Sequence, residues 1–469
     1  MSQVYEIKRN IWKHINFTGS KLKVTIILVI SIICTSFSTR AQNKSASGAP
    51  EIFNLDQCIV FALQNQPAVK QSLLEVSIVK KANTINLSSW LPQINLSGSF
   101  THYDPLPTIL TTNTSNPNGS LIQEHTGIIN TFLPQLSATQ TIINPDVLNA
   151  ARTAHLYVQE AKQSNDSTKI NLIANVSKSF YSLLFTLEQM NVLQEDTARL
   201  AKTMTDAYHQ YVGGIVDKTD YKEATISLNN SIAQLKRAKE SVRPQYALLK
   251  ELMGLPPEKN FVVSFDTVQM MKEINFDTAQ QLEYESRIEY QQLQTVKSLQ
   301  QLQLRYYKNQ FLPSLSAFYN YTYEFEKNSL PGFLNQGYPY SYVGASVSVP
   351  IFTGLRRMAN IQKTKLQGEQ IDLAIMGLKS FIYSEYTAAL ASYKSNLNDL
   401  YLDRDNMVMA RDVYGVVSLQ YKQGLVAYLN VITAESNLIS SEISYLNALF
   451  QVLSSKVDLE KAMGKIQSK

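Results

Sequence analysis

The feature that most constrains this fold is a long stretch without helix breakers. Asn144 and Pro145 make a strong helix start, because asparagine caps free backbone amides and proline suits the first turn. From Asp146 to Val212 the sequence contains neither glycine nor proline. Apolar residues recur within it at alternating steps of three and four, as in a coiled coil: Ile173, Val176, Phe180, Leu183, Leu187 and Met190. The pattern predicts a helix over 145–211, about 100 Å long at 1.5 Å per residue, which no compact domain accommodates.

A second copy of this arrangement follows 210 residues later. The run ends in YVGGIVDKTDY at 211–221, and the chain reads YKQGLVAYLNV at 421–431. Segments 211–231 and 421–441 share six identical residues: Tyr211/Tyr421, Gly214/Gly424, Val216/Val426, Ala224/Ala434, Leu228/Leu438 and Ser231/Ser441. Repetition at a fixed spacing indicates an internal duplication. A second long helix is therefore predicted over 354–423, with Thr353 as its cap.

Shorter helices flank each long one. They are predicted over 67–89 and 218–253 in the first half, and over 278–310 and 430–463 in the second. The sequence MGLPP at 253–257 ends the first set, because glycine and proline follow its last turn. Two shorter helices laid end to end can cover one long helix. Each half is therefore expected to form a two-layer hairpin whose tip is the glycine-containing turn.

Two segments with the period of a β-strand precede each long helix. Apolar and polar side chains alternate over about 91–103, 131–143, 313–326 and 341–352. Such alternation over about ten residues, with clustered aromatic residues, is typical of outer-membrane strands. A soluble sheet packed on helices is the alternative. The aromatic row of the third segment is predicted to face lipid: Tyr319, Tyr321, Tyr323 and Phe325.

Four strands cannot close a barrel by themselves. An open sheet edge in lipid leaves each unpaired backbone group at a cost of several kcal/mol. Known barrels begin at about eight strands, so the chain is predicted to oligomerise; two copies supply eight strands and three supply twelve. The long polar connections at 104–130 and 327–340 suit the cell exterior, which places the helices on the other side.

Several ordered motifs resemble one family. They are LDQCIVFALQNQP at 55–67, the LPQ and LPS strand starts at Leu91 and Leu312, SVPIF at 348–352, and the paired tips. Together they resemble the TolC-like outer-membrane efflux channel family, because the motifs follow the family's order along the chain and the pattern occurs in both halves. The resemblance implies a mixed α and transmembrane β-barrel fold. In that fold a trimer forms a twelve-strand barrel continuous with a helical periplasmic tunnel. Residues 55–253 and 278–469 would be its two repeats, and 254–277 its equatorial linker.

The resemblance also implies a function and partners. It implies an exit channel of a tripartite efflux or secretion system in the bacterial outer membrane. Such a channel passes small molecules or exported substrates passively, while an inner-membrane pump supplies the energy. A periplasmic adaptor would dock on the tips, through Gly213, Gly214, Val216, Gly424 and Val426. The two valines are expected to be exposed, and the glycines to supply a positive φ.

The aperture departs from the family pattern. Well-known members carry carboxylates six and nine residues after the glycine of the second repeat, and these line the periplasmic constriction. Here those positions are Asn430 and Thr433, both uncharged. The same count from Gly214 gives Asp220 and Glu223, whose spacing of three puts them on one helical face. The resemblance thus implies a weaker acidic gate; the alternative is that the two acids only complement a helix N-terminus.

The N-terminus has the pattern of a secretory signal peptide. Two lysines precede the short apolar stretch VTIILVISIIC at 24–34, and small or polar residues follow to Ala41. Cleavage there removes 1–41 and leaves 42–54 as the mature N-terminal segment. Lipidation of Cys34 is disfavoured, because bulky Ile33 precedes it. The remaining chain has 37 basic and 37 acidic residues, so nothing favours nucleic-acid binding.

No catalytic or metal-binding pattern stands out. Asp403 and Asp405 point about 200° apart on a helix. There is no phosphate-binding glycine loop. Neither an enzyme nor a cofactor is therefore expected, and a secreted structural coiled coil or adhesin without a pore is the rival function. Five histidines share no ligand spacing: His14, His102, His125, His155 and His209.

Overall fold

The computed structural model describes residues 51–112, 121–264, 270–271, 274–277 and 280–466. The predicted signal peptide (1–41), with Cys34 and His14, lies outside the described residues. The helices, in chain order, are α1 (Leu55–Asn65), α2 (Pro67–Ser88), α3 (Pro145–Val212), α4 (Lys218–Met253), α5 (Ile288–Asn309), α6 (Arg356–Lys422) and α7 (Tyr428–Ala462). α3 has 68 residues and α6 has 67. Asn144 caps α3, accepting from the Asp146 N–H at 2.7 Å.

The described residues contain eight strands, and four long ones (β2, β5, β7 and β8) form one antiparallel sheet. The strands are β1 (Glu51–Phe53), β2 (Gln93–His102), β3 (Thr108–Thr112), β4 (Leu121–His125), β5 (Asn130–Ile143), β6 (Phe261–Val263), β7 (Ser314–Lys327) and β8 (Gly337–Ser348). The order of strands in the sheet is β2-β5-β7-β8. The two central strands are therefore β5 from the first repeat and β7 from the second. Strands β3 and β4 pair with each other, as do β1 and β6.

Each long helix packs against two shorter helices. The first half of α3 lies against α2, where Asn83 Nδ2 donates to the Ala154 carbonyl at 2.7 Å. Its second half lies against α4, where Ser231 Oγ donates to Asp196 Oδ2 at 2.7 Å. In the second repeat α6 packs against α5 and α7. Because α3 also contacts α5 and α7, the two repeats share one helical layer.

The main hydrophobic core lies where the middle of α3 meets helices of both repeats. Its most deeply buried side chains are Cys58, Val176, Phe180, Leu183, Leu184, Leu249, Met253, Leu453 and Leu459. The predicted seam of α3 is thus buried at Val176, Phe180 and Leu183. Burial raises the pKa of the Cys58 thiol to about 12, so it stays a protonated core residue.

The helix predicted over 278–310 begins too early. It is α5, which starts at Ile288, and 278–279 lie outside the described part of the chain. Arg287 keeps an extended backbone before it, with φ −77° and ψ 126°. Its guanidinium is buried and donates to the Ala462 carbonyl at 2.9 Å and to Glu385 at 2.7 Å. This anchoring of Arg287 holds the preceding chain out of the helix.

The cap predicted at Thr353 is also wrong. α6 begins at Arg356, because Leu355 adopts a left-handed φ of 63° that interrupts the helix. The backbone carbonyl of Thr353, rather than its side chain, accepts from the Arg356 N–H at 3.2 Å. The predicted helix 354–423 is therefore shorter at both ends.

Two predictions for the strand region need correction. The strand predicted over 341–352 is β8, which begins earlier, at Gly337, and ends at Ser348. Pro350 has no N–H to give a neighbouring strand, so pairing stops before it. The connection 104–130, predicted as a polar loop, contains the β3–β4 hairpin. Residues 113–120 between these two strands are not among those described.

Candidate functional site

The first tip is a tight turn between α3 and α4. The N–H of Gly214 donates to the Tyr211 carbonyl at 3.0 Å. Gly214 has a φ of 72°, in the left-handed region that favours glycine. Gly213 has a φ of −76°, so the expectation of a positive φ there is wrong. Asp217 caps α4, because its Oδ1 accepts from the Lys218 N–H at 2.7 Å.

The second tip repeats this geometry. Gly424 has a φ of 75°. The Leu425 N–H donates to the Gln420 carbonyl at 3.0 Å, as the Ile215 N–H donates to the Gln210 carbonyl at 2.8 Å. Identical hydrogen bonding at equivalent positions explains why glycine recurs at the same place in both copies.

The side chains that project from the tips are not the ones predicted. Val216 and Val426 are half-buried, so the expectation that both are exposed is wrong. The preceding residues project instead: Ile215 is 76% and Leu425 69% exposed. The turn directs these larger side chains outward while each valine packs back toward its own hairpin. Ile215 and Leu425 are therefore the most exposed apolar side chains of the two tips, and Val212 (65%) and Leu429 (60%) lie exposed beside them.

The two tips lie at the same end of the helices and contact each other. The Tyr421 hydroxyl of α6 donates to Gln210 Oε1 of α3 at 2.9 Å. A small apolar cluster just behind them joins helices of both repeats through Ala207, Ala224, Tyr428 and Val431. The four predicted aperture residues therefore lie in the first turns of α4 and α7, at the same end of the helices as the tips.

The four aperture residues differ in exposure. Glu223, Asn430 and Thr433 are exposed, and Asp220 is half-buried. Partial burial, with a smaller contribution from the Asp217 carboxylate, raises the pKa of Asp220. The Thr433 hydroxyl donates to the carbonyl one turn earlier. The only carboxylates among these four predicted positions are thus those of the first repeat.

The four-stranded sheet has one apolar and one polar face. One row across it, from β2 to β8, is Ile94, Ala138, Tyr319 and Val343, and the next is Leu96, Leu136, Tyr321 and Ser341. The rows on the opposite face are Asn95, Ser137, Asn320 and Tyr342, then Ser97, Gln135, Thr322 and Tyr340. Ile94 is 68% and Val343 79% exposed, so among the described residues nothing covers these two rows of the apolar face. Further along the same face, Phe333 packs edge-on against Phe100, with ring centroids 5.7 Å apart.

The predicted lipid-facing residues share that apolar face. Tyr319, Tyr321 and Tyr323 are 43%, 39% and 36% exposed. Phe325 stacks on Phe132 of the neighbouring strand, with ring centroids 6.1 Å apart. Thr322, by contrast, is 2% exposed and accepts from Gln135 Nε2 at 3.4 Å. The alternation expected from the sequence therefore holds in the strand geometry.

One group of charged residues was missed by sequence reasoning. Asp196, Arg199 and Glu435 meet where α3 packs against α7. The available signal was a carboxylate on an apolar helical stripe, because Glu435 is one turn from Val431 and two turns from Tyr428. From the sequence alone, such a carboxylate is predicted to lie in solvent, and only the packing of its helix against another shows that it is buried.

The described residues form neither a metal site nor a membrane-crossing helix. In the described part of the chain, no group of three His, Cys, Asp or Glu side chains is placed to hold a metal ion. None of the described helices combines the length and apolar character that crossing a membrane requires. His102 Nδ1 lies 2.7 Å from Asn130 Oδ1, in the sheet.

Sequence comparison finds efflux proteins. The family described as "Outer membrane efflux protein" matches residues 59–255, which is the first repeat. The toluene efflux pump outer membrane protein TtgC of Pseudomonas putida is 21% identical over 326 residues. That alignment covers 65% of this chain and 62% of the relative, so the chain matches less than two thirds of that protein's length.

Solved structures share the fold over most of the chain. The outer membrane protein VceC of Vibrio cholerae superimposes with a TM-score of 0.68 and 15% identity, covering 87% of this chain and 96% of that one. The CmeC outer membrane channel of Campylobacter jejuni superimposes with a TM-score of 0.69 and 18% identity, and the alignment covers 88% of this chain and 86% of that one. At these identities the likeness concerns the fold. Residues 59–255 of this chain therefore match the outer membrane efflux protein family, within a fold that the solved outer membrane channels share.

Proposed function

We propose that this chain is the outer-membrane exit channel of a tripartite efflux or secretion system. In this role it passes small molecules or exported substrates passively through the membrane. The observation that carries the proposal is the four-stranded sheet, with an uncovered apolar face and a polar face, joined to long helices with exposed tips. The family match over the first repeat supports it. The polar face would line the channel and the helices would extend into the periplasm.

Closure of the sheet requires further copies of the chain. Within the described residues β2 and β8 form the edges, and each is paired on one side only. Unpaired backbone groups in lipid cost several kcal/mol each, so the edges must pair with one another between copies. Three copies give twelve strands, within the known range of barrels. A homotrimer with a helical tunnel is the assembly that we propose.

The aromatic row of β7 would then face lipid. Tyr319, Tyr321, Tyr323 and Phe325 lie on the same face as exposed Ile94 and Val343. Apolar and aromatic side chains belong on the outer surface of such barrels, and polar ones inside.

The narrow end would be lined by the starts of α4 and α7. Asp220 and Glu223 of three copies would supply six carboxylates there, and rings of carboxylates favour cations. Asn430 and Thr433 would add polar but uncharged groups. We therefore propose a weakly acidic aperture, whose selectivity depends on the first repeat alone.

The tips would receive a periplasmic adaptor protein. Gly213, Gly214, Val216, Gly424 and Val426 build the two turns, and the exposed Ile215 and Leu425 side chains offer the apolar contacts. Together with exposed Val212 and Leu429 they form a small apolar patch at one end of the helices, and such a patch suits insertion into a partner's groove. An inner-membrane pump behind the adaptor would supply the energy.

A planar lipid bilayer tests the proposal directly. The purified protein in mild detergent is expected to run as a heat-labile trimer, at about three times the chain mass, and to conduct ions after reconstitution. The control is the same preparation after heating, which should separate the three subunits and abolish conductance. A well-folded monomer that never conducts would contradict the proposal and would favour a structural coiled-coil protein.

A further inference from the structure

Two carboxyl groups and one guanidinium are packed together between the repeats. Asp196 of α3 and Glu435 of α7, here called the buried acid pair, are each 1% exposed. Arg199 lies between them: its Nη2 is 3.5 Å from Asp196 Oδ1, and its Nε is 3.7 Å from Glu435 Oε1. Ser231 of α4 donates to the other Asp196 oxygen at 2.7 Å. Three helices therefore converge on the buried acid pair.

The neighbouring charges do not balance the pair. Arg411 of α6 and Glu442 of α7 form their own ion pair at 2.9 Å. The Tyr414 ring of α6 lies 6.0 Å from the Arg199 Cζ, and the buried Tyr428 hydroxyl of α7 has no hydrogen-bond partner in the described structure. α4 contributes the Ser231 hydroxyl. Arg199 is thus the one cation directly between two buried carboxyl groups.

A single proton makes this group of charges neutral. With both carboxyl groups ionised, one negative charge remains uncompensated in the interior, which is strongly unfavourable. In the described structure neither carboxylate oxygen of Glu435 has a partner within hydrogen-bonding distance, and Arg199 is 3.7 Å away. Burial and the Asp196 carboxylate raise the pKa of Glu435 to about 7, although Arg199 and the Tyr414 hydroxyl oppose that shift. Burial also raises the pKa of Asp196, while the Ser231 hydrogen bond and Arg199 oppose that shift.

We propose that Glu435 is a proton-binding site that holds α3 and α7, and thereby the two repeats, together behind the tips. The protonated cluster is neutral and packs tightly. Loss of the proton leaves a buried charge that separation of the helices would hydrate. Because a raised pKa means that the packed state binds the proton more tightly, the contact is strongest at acidic pH and weakens as the pH rises through 7. If the proposed channel function holds, the narrow end opens more readily at alkaline pH.

Single-channel recording at about pH 5.5 and about pH 8 tests the proposal, because each pKa unit between closed and open states changes their ratio about tenfold. The wild type is expected to raise its open probability at least about tenfold at the higher pH. Glu435→Gln, which mimics the protonated form, should abolish that rise and keep the low value. Asp196→Asn removes one competing carboxylate, so the transition should move to lower pH. Glu195→Gln, an exposed neighbour on α3, should behave as wild type.

Thermal unfolding gives a second measurement that needs no channel. Between about pH 5 and pH 8 the Tm of the detergent-solubilised wild type should fall relative to that of Glu435→Gln, because only the wild type loses the bound proton. Parallel Tm profiles, or a Glu435→Gln channel with the full wild-type pH response, would overturn the proposal. A protein that never conducts would contradict the channel function, and the Tm comparison would then decide the role of Glu435 alone.

Discussion

At the scale of single residues, the acids near the first tip would set which ions the proposed aperture selects. Asp220 and Glu223 are the carboxylates among the four positions assigned to the narrow end, and the equivalent positions of the second repeat are Asn430 and Thr433. Half-burial raises the pKa of Asp220, so it gains its proton at a higher pH than an ordinary aspartate. On acidification the contribution of Asp220 to the selectivity of the proposed aperture should therefore be lost at a higher pH than that of an ordinary aspartate.

Removal of these charges is the corresponding prediction. Asp220→Asn with Glu223→Gln should lower the cation preference by about twofold or more, because a trimer loses six carboxylates near its narrow end. Reversal potentials in a salt gradient measure this preference. Glu240→Gln, exposed on the same helix far from the tip, is the matched control and should change nothing. Unchanged selectivity in the double variant would mean that these acids do not line the aperture.

At the scale of elements, the sheet differs in character between its two faces. Tyr321 of β7 lies in an apolar row, whereas Tyr342 of β8 lies in a polar row one residue step away. Their side chains are 39% and 48% exposed. They are therefore the same residue type, at similar depth and exposure, on opposite faces.

This pair gives a test of which face meets lipid. Tyr321→Arg should destabilise the assembled barrel by about 2–4 kcal/mol, because a cation near mid-bilayer is strongly unfavourable. Tyr342→Arg would face the water-filled interior and should assemble as the wild type does. The fraction of heat-labile trimer on a semi-native gel measures assembly. Equal defects in both variants would show that the faces have been assigned wrongly.

At the scale of the whole molecule, each repeat contributes a strand pair, a long helix and one tip to the same arrangement. The tips are joined by the Tyr421–Gln210 hydrogen bond and by the cluster around Tyr428. Both tips therefore present their exposed Ile215 and Leu425 side chains at one end, where a partner can contact both repeats at once.

Charged residues at the tips should uncouple conduction from export. Ile215→Asp with Leu425→Asp is expected to leave a conducting trimer and to abolish export, because an apolar docking groove rejects carboxylates by several kcal/mol. The tolerance of deletion cells to a panel of toxic compounds reports export. Leu248→Asp, at the other end of α4, is the control and should support export. Full export by the double variant would place docking elsewhere.

Elements encoded by local chemistry could be predicted from the sequence. The cap at Asn144-Pro145, the apolar seam and the absence of glycine or proline predict one long helix, and period-two alternation identifies the strands and their two faces. The repeated Gly214 and Gly424 mark turns, because their positive φ is a local requirement. The assignment of Asp220 and Glu223 to the first turns of α4 follows from the same local counting.

Features that depend on partners far along the chain could not be predicted from local sequence. α5 begins late because Arg287 is held by Ala462 and Glu385, far along the chain. The half-burial of Val216 and Val426 depends on how each turn folds back onto its hairpin. Asp196 and Glu435 resemble solvated helix acids in the sequence, and packing of α3 against α7 makes them a buried pair. Desolvation raises the pKa of both groups, and repulsion by Asp196 raises that of Glu435 further; the repulsion exists only after α3 and α7 meet.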